Sequence, residues 1–251
     1  MEWPIPQSRV TIRESESYFI GEMVMTFFVF PPPAPTVLPV SGGGLFPIRR
    51  VFCVGQNYAE HAREMGTDPL NEPPVFFTKP ADAVTCASRL PFPPHTERLD
   101  YEGELVVAIG LGGANIPPAK GLEHVFGYTV GCDLTRRDLQ AAAKKGGRPW
   151  DMAKGFDCSA AVGVVHPVAE IGHPAKGTIR LSVNGLEKQR ADLADMIWSV
   201  PQVIAHLSTF VTLAPGDLIF TGTPAGIGPL ARGDEVDVSV EGVTSHLFTI
   251  G

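Results

Sequence analysis

Leu99-Asp100-Tyr101-Glu102-Gly103-Glu104-Leu105-Val106-Val107-Ala108-Ile109-Gly110 is the stretch around which the rest of the chain is organised. Its second half is apolar and β-branched, and Gly110, Gly112 and Gly113 follow it, so it reads as a strand running into turns. Side chains alternate across a strand, which puts Glu102 and Glu104 on one face together with Val106 and Ala108. Two carboxylates about 7 Å apart along a core strand repel each other and resist burial unless positive charge lies between them. A hard divalent cation, Mg²⁺ or Ca²⁺, meets that requirement, because it takes oxygen ligands and a rigid β face holds them in place. For so short a motif, an exposed acidic strand end is the plainer alternative.

The chain has 251 residues, 44% hydrophobic and 19% charged, which suits one large domain with or without an arm. A net charge of −7 points away from nucleic acid and from anionic membranes as partners. Cys53, Cys86, Cys132 and Cys158 form no C-x-x-C pair, and three of them sit in apolar strand-like text, which reads as buried free thiols in a reducing cytoplasm. No run approaches the roughly 20 apolar residues of a membrane span. The longest, Met23 to Phe30, stops at Pro31-Pro32-Pro33, and Glu14, Glu16 and Glu22 stand where a signal peptide would be basic. Residues 1–22 carry no sustained periodicity, and Met25 offers an alternative start. Pro31 to Gly44 is rich in proline and glycine and reads as a connector or a short strand-like arm on the main body. The resulting division is an arm over residues 1–44 and a globular domain over 45–251. A chain beginning at Val40 is expected to stay soluble and active.

From Leu45 the elements follow in order. Arg50 to Gly55 reads as a buried strand, and Tyr58 to Met65 as a helix ended by Gly66. His61 and Glu64 are neighbours on one face of that helix. A carboxylate beside a neutral imidazole orients it and makes it more basic, as in a water-activating pair, although an ordinary surface pair has the same spacing. Val75 to Pro80 is a second apolar strand that carries Lys79 at its end. Pro91 to Arg98 is loop, and His95 and Glu97 lack the C-x-x-C of a zinc deaminase. Val125 to Asp133 is a third strand. Asp133 either caps a helix over Leu134 to Lys145 or adds a third carboxylate to Glu102 and Glu104. Arg136, Arg137 and Gln140 gather at the start of that helix, where the dipole favours an anion.

Lys154 opens another strand-like run. Short strands then alternate with turns: Ile179 to Val183, Leu218 to Thr221, Glu235 to Val240 and Ser245 to Ile250. Val200 to Phe210 is an apolar helix packed on the sheets. The turn Thr221-Gly222-Thr223-Pro224-Ala225-Gly226-Ile227-Gly228 lacks the ending of a phosphate-binding loop and the serine of a nucleophile elbow. Close backbone approach to a small anion is its candidate use, with an ordinary turn as the alternative.

Seven motifs in this order and spacing resemble the fumarylacetoacetate hydrolase family. They are Cys53-Val54-Gly55-Gln56-Asn57-Tyr58, His61-Ala62-Arg63-Glu64, Thr78-Lys79-Pro80, Asp100 to Leu105, Gly127-Tyr128 through Asp133, Lys154-Gly155-Phe156-Asp157 and Thr221-Gly222-Thr223-Pro224. The resemblance covers roughly residues 45 to 251. Arg136 to Gln140 and Met196 to Val200 tilt it toward the short bacterial fumarylpyruvate hydrolases of gentisate degradation.

The resemblance implies an α+β, β-rich fold, a mixed β-sandwich roll with a few short helices, in a homodimer. It implies Mg²⁺ or Mn²⁺ held by Glu102, Glu104 and Asp133, with His61 and Glu64 activating water and Lys154 in the active site. Arg137, Gln140, Thr223 and Lys79 fall at substrate-binding positions. Gly103 departs from the larger residues common there, and a change of packing is expected from it. The implied reaction is metal-dependent C–C cleavage of a 2,4-diketo acid, with fumarylpyruvate first. An oxaloacetate decarboxylase or isomerase of the same family stays open, as does a non-catalytic protein stabilised by a divalent ion.

Overall fold

The computed structural model describes residues 28–66 and 73–251. The arm expected over residues 1–22, and Met25, lie outside the described residues. The chain divides into two units, Met1–Ala34 and Pro35–Gly251. Residues 28–34 of the first unit carry no helix or strand. The second holds all the elements that follow.

Two sheets face each other across the main core. The larger has eight strands. Seven run in the order Val75–Lys79, Arg50–Gly55, Asp217–Phe220, Gly103–Ile109, Val125–Asp133, Ala160–Val162 and Val84–Thr85, and His166–Pro167 also pairs with Val125–Asp133. The smaller has five strands, ordered Leu186–Asp192, Thr178–Val183, Glu235–Val240, Thr244–Ile250 and Arg89–Leu90. Both faces of the quoted stretch are buried, and its alternation sorts them. Leu105, Val107 and Ile109 join Leu181, Val238 and Phe248 between the sheets. Val106 and Ala108 meet Cys53, Phe220 and Leu38 in a second core behind the larger sheet. This is the α+β, β-rich sandwich roll that the sequence indicates.

The strand expected over Leu99 to Gly110 is two strands. Leu99–Tyr101 lies between Thr135–Arg136 and Gly228–Leu230 in a three-stranded sheet. Gly103–Ile109 belongs to the eight-stranded sheet, paired to Val125–Asp133 with Gly103 opposite Cys132. Glu102 is the residue at which the chain passes from one sheet to the other. Gly103 does change the packing: a Cβ there would stand 3.0 Å from Leu181 Cδ1, so the missing side chain lets the smaller sheet close on the carboxylate strand.

Other expectations shift by a few residues. The helix expected over Leu134 to Lys145 begins at Arg137 and runs Arg137–Gly146, because Thr135–Arg136 is held extended by pairing with Leu99 and Asp100. Asp133 therefore ends a strand and caps no helix. The short helix is Ala59–Glu64 and the apolar helix is Val200–Phe210. Of the four cysteines only Cys53 and Cys132 are buried; Cys158 is half-buried and Cys86 exposed, since the latter two fall outside strands. The stretch read as a connector or a short strand-like arm contains Val37–Pro39, which pairs with Leu45–Pro47 as a hairpin, in keeping with the second alternative. Leu38 is fully buried in the second core, so a chain cut at Val40 loses a core side chain. No described helix is long and apolar enough to cross a membrane.

Candidate active site

Glu102, Glu104 and Asp133 converge at one end of the paired strands Gly103–Ile109 and Val125–Asp133. Each offers a carboxylate oxygen within 4.8 Å of the others, and all three are buried. Strand register produces this: Gly103 and Glu104 pair with Cys132 and Gly131, and the Asp133 N–H donates to the Glu102 carbonyl at 2.8 Å.

Buried carboxylates demand partners, and the cations here are distributed unevenly. Lys154 Nζ donates to Glu102 Oε2 at 2.6 Å and to Asp133 Oδ2 at 2.8 Å. Lys79 Nζ lies 2.7 Å from Asp133 Oδ1 and donates to the carbonyls of Leu134 and Lys154. Arg137 donates to Glu102 Oε1, to Asp100 Oδ2 at 2.8 Å and to Gln140 Oε1 at 2.6 Å. Burial alone would raise the Glu102 pKa, but Lys154 and Arg137 hold it well below the usual carboxylate range. Burial would likewise lower the Lys154 pKa, and Asp133 and Glu102 raise it instead.

Glu104 is different. Among the described residues no cation pairs with it, and its Oε2 accepts the Gly222 N–H at 2.6 Å. Burial first, then Asp133 and Glu102, push its pKa well above normal. Three hard oxygen donors, one of them charge-starved, fit a divalent cation such as Mg²⁺ or Mn²⁺.

The helix Ala59–Glu64 contributes one residue to the cleft that Glu102 and Glu104 line. His61 is buried and lines the cleft, with Nδ1 3.1 Å from Glu64 Oε2. Glu102, Glu104, Arg137, Gln140, Lys154 and Thr223 all reach the cleft. Lys79 does not line it; it lies behind Asp133, fully surrounded by protein. Glu64 is a third exposed and sets the imidazole from the rim.

Two residues that hold this arrangement were not singled out from the sequence. Asn57 donates through Nδ2 to the Trp198 and Thr221 carbonyls, both at 2.8 Å, and accepts the Trp198 N–H at 2.7 Å. It thereby ties the His61 helix to the Gly-rich turn. At Gly222 φ is +100°, and a Cβ there would lie 2.6 Å from Asn57 Cβ, so the turn needs glycine twice over. Gln189, also buried, accepts the Gly103 N–H at 2.9 Å and donates to Thr223 Oγ1 at 2.8 Å. Thr223 Oγ1 donates in turn to the Gly103 carbonyl at 2.9 Å. Asn57 sits inside a quoted motif and was legible there as a turn residue, whereas Gln189 comes from a strand on the far sheet and carries no local signal.

The model of the fumarylacetoacetate (FAA) hydrolase C-terminal family matches residues 50–250, which spans all of these groups. The chain belongs to the fumarylacetoacetate hydrolase family. Among solved family structures, the fumarylpyruvate hydrolase from Pseudomonas aeruginosa, in complex with Mn²⁺ and pyruvate, is 47% identical. That match covers 89% of this chain and 99% of the other, with a TM-score of 0.88. The oxaloacetate tautomerase of Escherichia coli K12 is 42% identical over 200 residues, 78% of this chain and 90% of its own. The human mitochondrial oxaloacetate tautomerase is 39% identical over 203 residues, 80% of this chain and 91% of its own. Family members thus include enzymes of keto-acid chemistry, both hydrolase and tautomerase.

Proposed function

We propose that the chain is a divalent-metal-dependent hydrolase of 2,4-diketo acids that converts fumarylpyruvate to fumarate and pyruvate. The observation carrying this reading is the His61–Glu64 pair, 3.1 Å apart, with His61 lining the same cleft as Glu102 and Glu104. Such a base can take the proton of the water that hydrolysis requires as its nucleophile. In keto–enol interconversion the same base would take the C3 proton, and a comparison of substrates separates the two.

Glu102, Glu104 and Asp133 would hold Mg²⁺ or Mn²⁺, with Ca²⁺ as a further candidate. When bound, the ion supplies Lewis acidity toward an α-keto acid. Glu64 accepts the Nδ1–H of His61, which leaves Nε2 as the base. Nε2 takes a proton from water, and the water oxygen bonds to the C4 carbonyl carbon. The C3–C4 bond then breaks, its electron pair passes to C3 as pyruvate enolate, and C3 takes up a proton. C4 leaves as the carboxyl carbon of fumarate.

Lys154 and Gln140 face the cleft and hold the negative charge that develops. Arg137, fixed by Asp100 and Glu102, orients Gln140, and Thr223 closes the pyruvate end. Lys79 acts on Asp133 from behind, a supporting role in place of substrate contact. The same reading takes the protein as a cytoplasmic homodimer whose partner is a small diketo acid, with no nucleic acid or membrane involved.

Oxaloacetate tautomerisation or decarboxylation is the second reading, favoured by the tautomerase relatives at 39% and 42% identity. Fumarylpyruvate, acetylpyruvate and oxaloacetate assayed side by side with Mn²⁺ separate the two. Cleavage of the acylpyruvates with equimolar pyruvate supports the hydrolase. Turnover of oxaloacetate alone replaces it.

A further inference from the structure

The helix Arg137–Gly146 presents more to the cleft than Arg137 and Gln140. Lys144 follows at the next spacing of four, which places the three side chains on one face, and all three line the cleft. Arg137 stands at the acidic end, and Lys144 lies about 10 Å further along the helix axis, at the mouth.

Two aromatic rings that also line the cleft connect the same two ends. Lys154 Nζ lies 4.9 Å from the Phe77 ring centre, the Phe77 and Trp150 centres are 5.7 Å apart, and Lys144 Nζ lies 5.1 Å from the Trp150 centre. The cleft is therefore a track of two rings with an ammonium at each end. The inner ammonium is neutralised by Glu102 and Asp133. The outer one has no carboxylate partner among the described residues.

We propose that Lys144, at the end of the Phe77–Trp150 track, forms a second anion subsite that takes the far carboxylate of a dicarboxylic substrate. The rings would carry the flat, unsaturated arm between the reacting carbonyl and that carboxylate. Partial desolvation against the cleft wall, and then the Arg137 guanidinium, push the Lys144 pKa down, so a carboxylate arriving there relieves repulsion as well as forming a charged hydrogen bond. The assignment rests on the diketo-acid reading and deepens it: the subsite makes the acyl group a dicarboxylate arm such as fumaryl, ahead of an acetyl group. Lys145, next along and also in the last helical turn, does not line the cleft and serves as the control. A lysine that merely complements the helix dipole would behave as Lys145 does.

The test has a kinetic arm and a binding arm. In the first, kcat/KM for fumarylpyruvate and for acetylpyruvate is measured in wild type, Lys144→Met, Lys144→Arg and Lys145→Met. The preference for the fumaryl substrate should fall about tenfold or more in Lys144→Met, recover in Lys144→Arg and stay unchanged in Lys145→Met. An equal loss on both substrates, or no change in preference, overturns the subsite.

In the second arm, thermal protection by fumarate is compared with that by crotonate, which has a methyl in place of one carboxylate. Fumarate should protect wild type better, and the advantage should vanish in Lys144→Met. No advantage in wild type, or one that survives the substitution, overturns the subsite. If wild type cleaves neither acylpyruvate yet loses the fumarate advantage with Lys144, the subsite stands and the hydrolase reading falls.

Discussion

The side-chain amide of Gln189 accepts the backbone N–H of Gly103 at 2.9 Å, which fixes the peptide lying between two buried carboxylates. The other end of the same amide donates to Thr223 Oγ1 at 2.8 Å and to the Pro224 carbonyl at 2.7 Å. One residue of the smaller sheet thus locks the acidic strand to the Gly-rich turn. Gln189→Leu keeps much of the volume and removes both ends of that link, leaving the Gly103 N–H buried and unpaired. The cost should be about 1–3 kcal/mol in stability, read from denaturant unfolding. Mn²⁺ affinity should also weaken, whereas Gln189→Glu, which can still accept from Gly103, should retain more of it in calorimetry. Undiminished affinity in Gln189→Leu would show the link to be structural alone.

Glu104 governs how the metal-free protein responds to pH. Its folded pKa is raised above the unfolded value, chiefly by burial and by Asp133 and Glu102. The stability tied to its protonated form is therefore complete below the unfolded value of about 4.3 and is lost as pH rises through the folded pKa. At pH 7 to 8 Glu104→Gln should raise the melting temperature of EDTA-treated protein, by about 2–4 °C for each kcal/mol relieved. The same variant should lose most of the stabilisation that Mn²⁺ gives wild type. A melting temperature equal to wild type in EDTA, with a full Mn²⁺ shift, would remove Glu104 from the cation site.

Leu38 belongs to the core. It is fully buried beside Phe46, Val106 and Phe220, behind the larger sheet. Leu38→Ala should cost about 2–5 kcal/mol. A chain starting at Val40 should melt lower than one starting at Pro35, with Mn²⁺ affinity following stability. Equal melting of the two would mean that the hairpin contributes nothing.

Much of this was legible in the sequence where local pattern and chemistry coincide. Val125–Asp133 and Val200–Phe210 have the expected limits because an apolar run and its flanking breakers agree there. Glu102 and Glu104 were conspicuous because charge is rare on a core strand. The break at Glu102 was not visible, since a strand that changes sheets keeps its apolar alternation. Likewise the helix start at Arg137 is set by Asp100 and Leu99, residues far earlier in the chain, which pair with Thr135 and Arg136. Lys79 looked like a cation at a strand end. Only the fold shows that Asp133 and two carbonyls enclose it. Gln189 acts across 86 positions of sequence, beyond the reach of any spacing rule.

The central claim is that His61 activates water for C–C cleavage, and one measurement addresses it most directly. Fumarylpyruvate consumption and pyruvate release are followed with saturating Mn²⁺ in wild type and in His61→Ala, with Mn²⁺ affinity measured in parallel. Wild type should release one pyruvate per substrate consumed, and His61→Ala should be slower by about 10² to 10⁴ with Mn²⁺ affinity intact. Retained cleavage in His61→Ala, or wild-type protein that leaves fumarylpyruvate whole while turning over oxaloacetate, would contradict the claim.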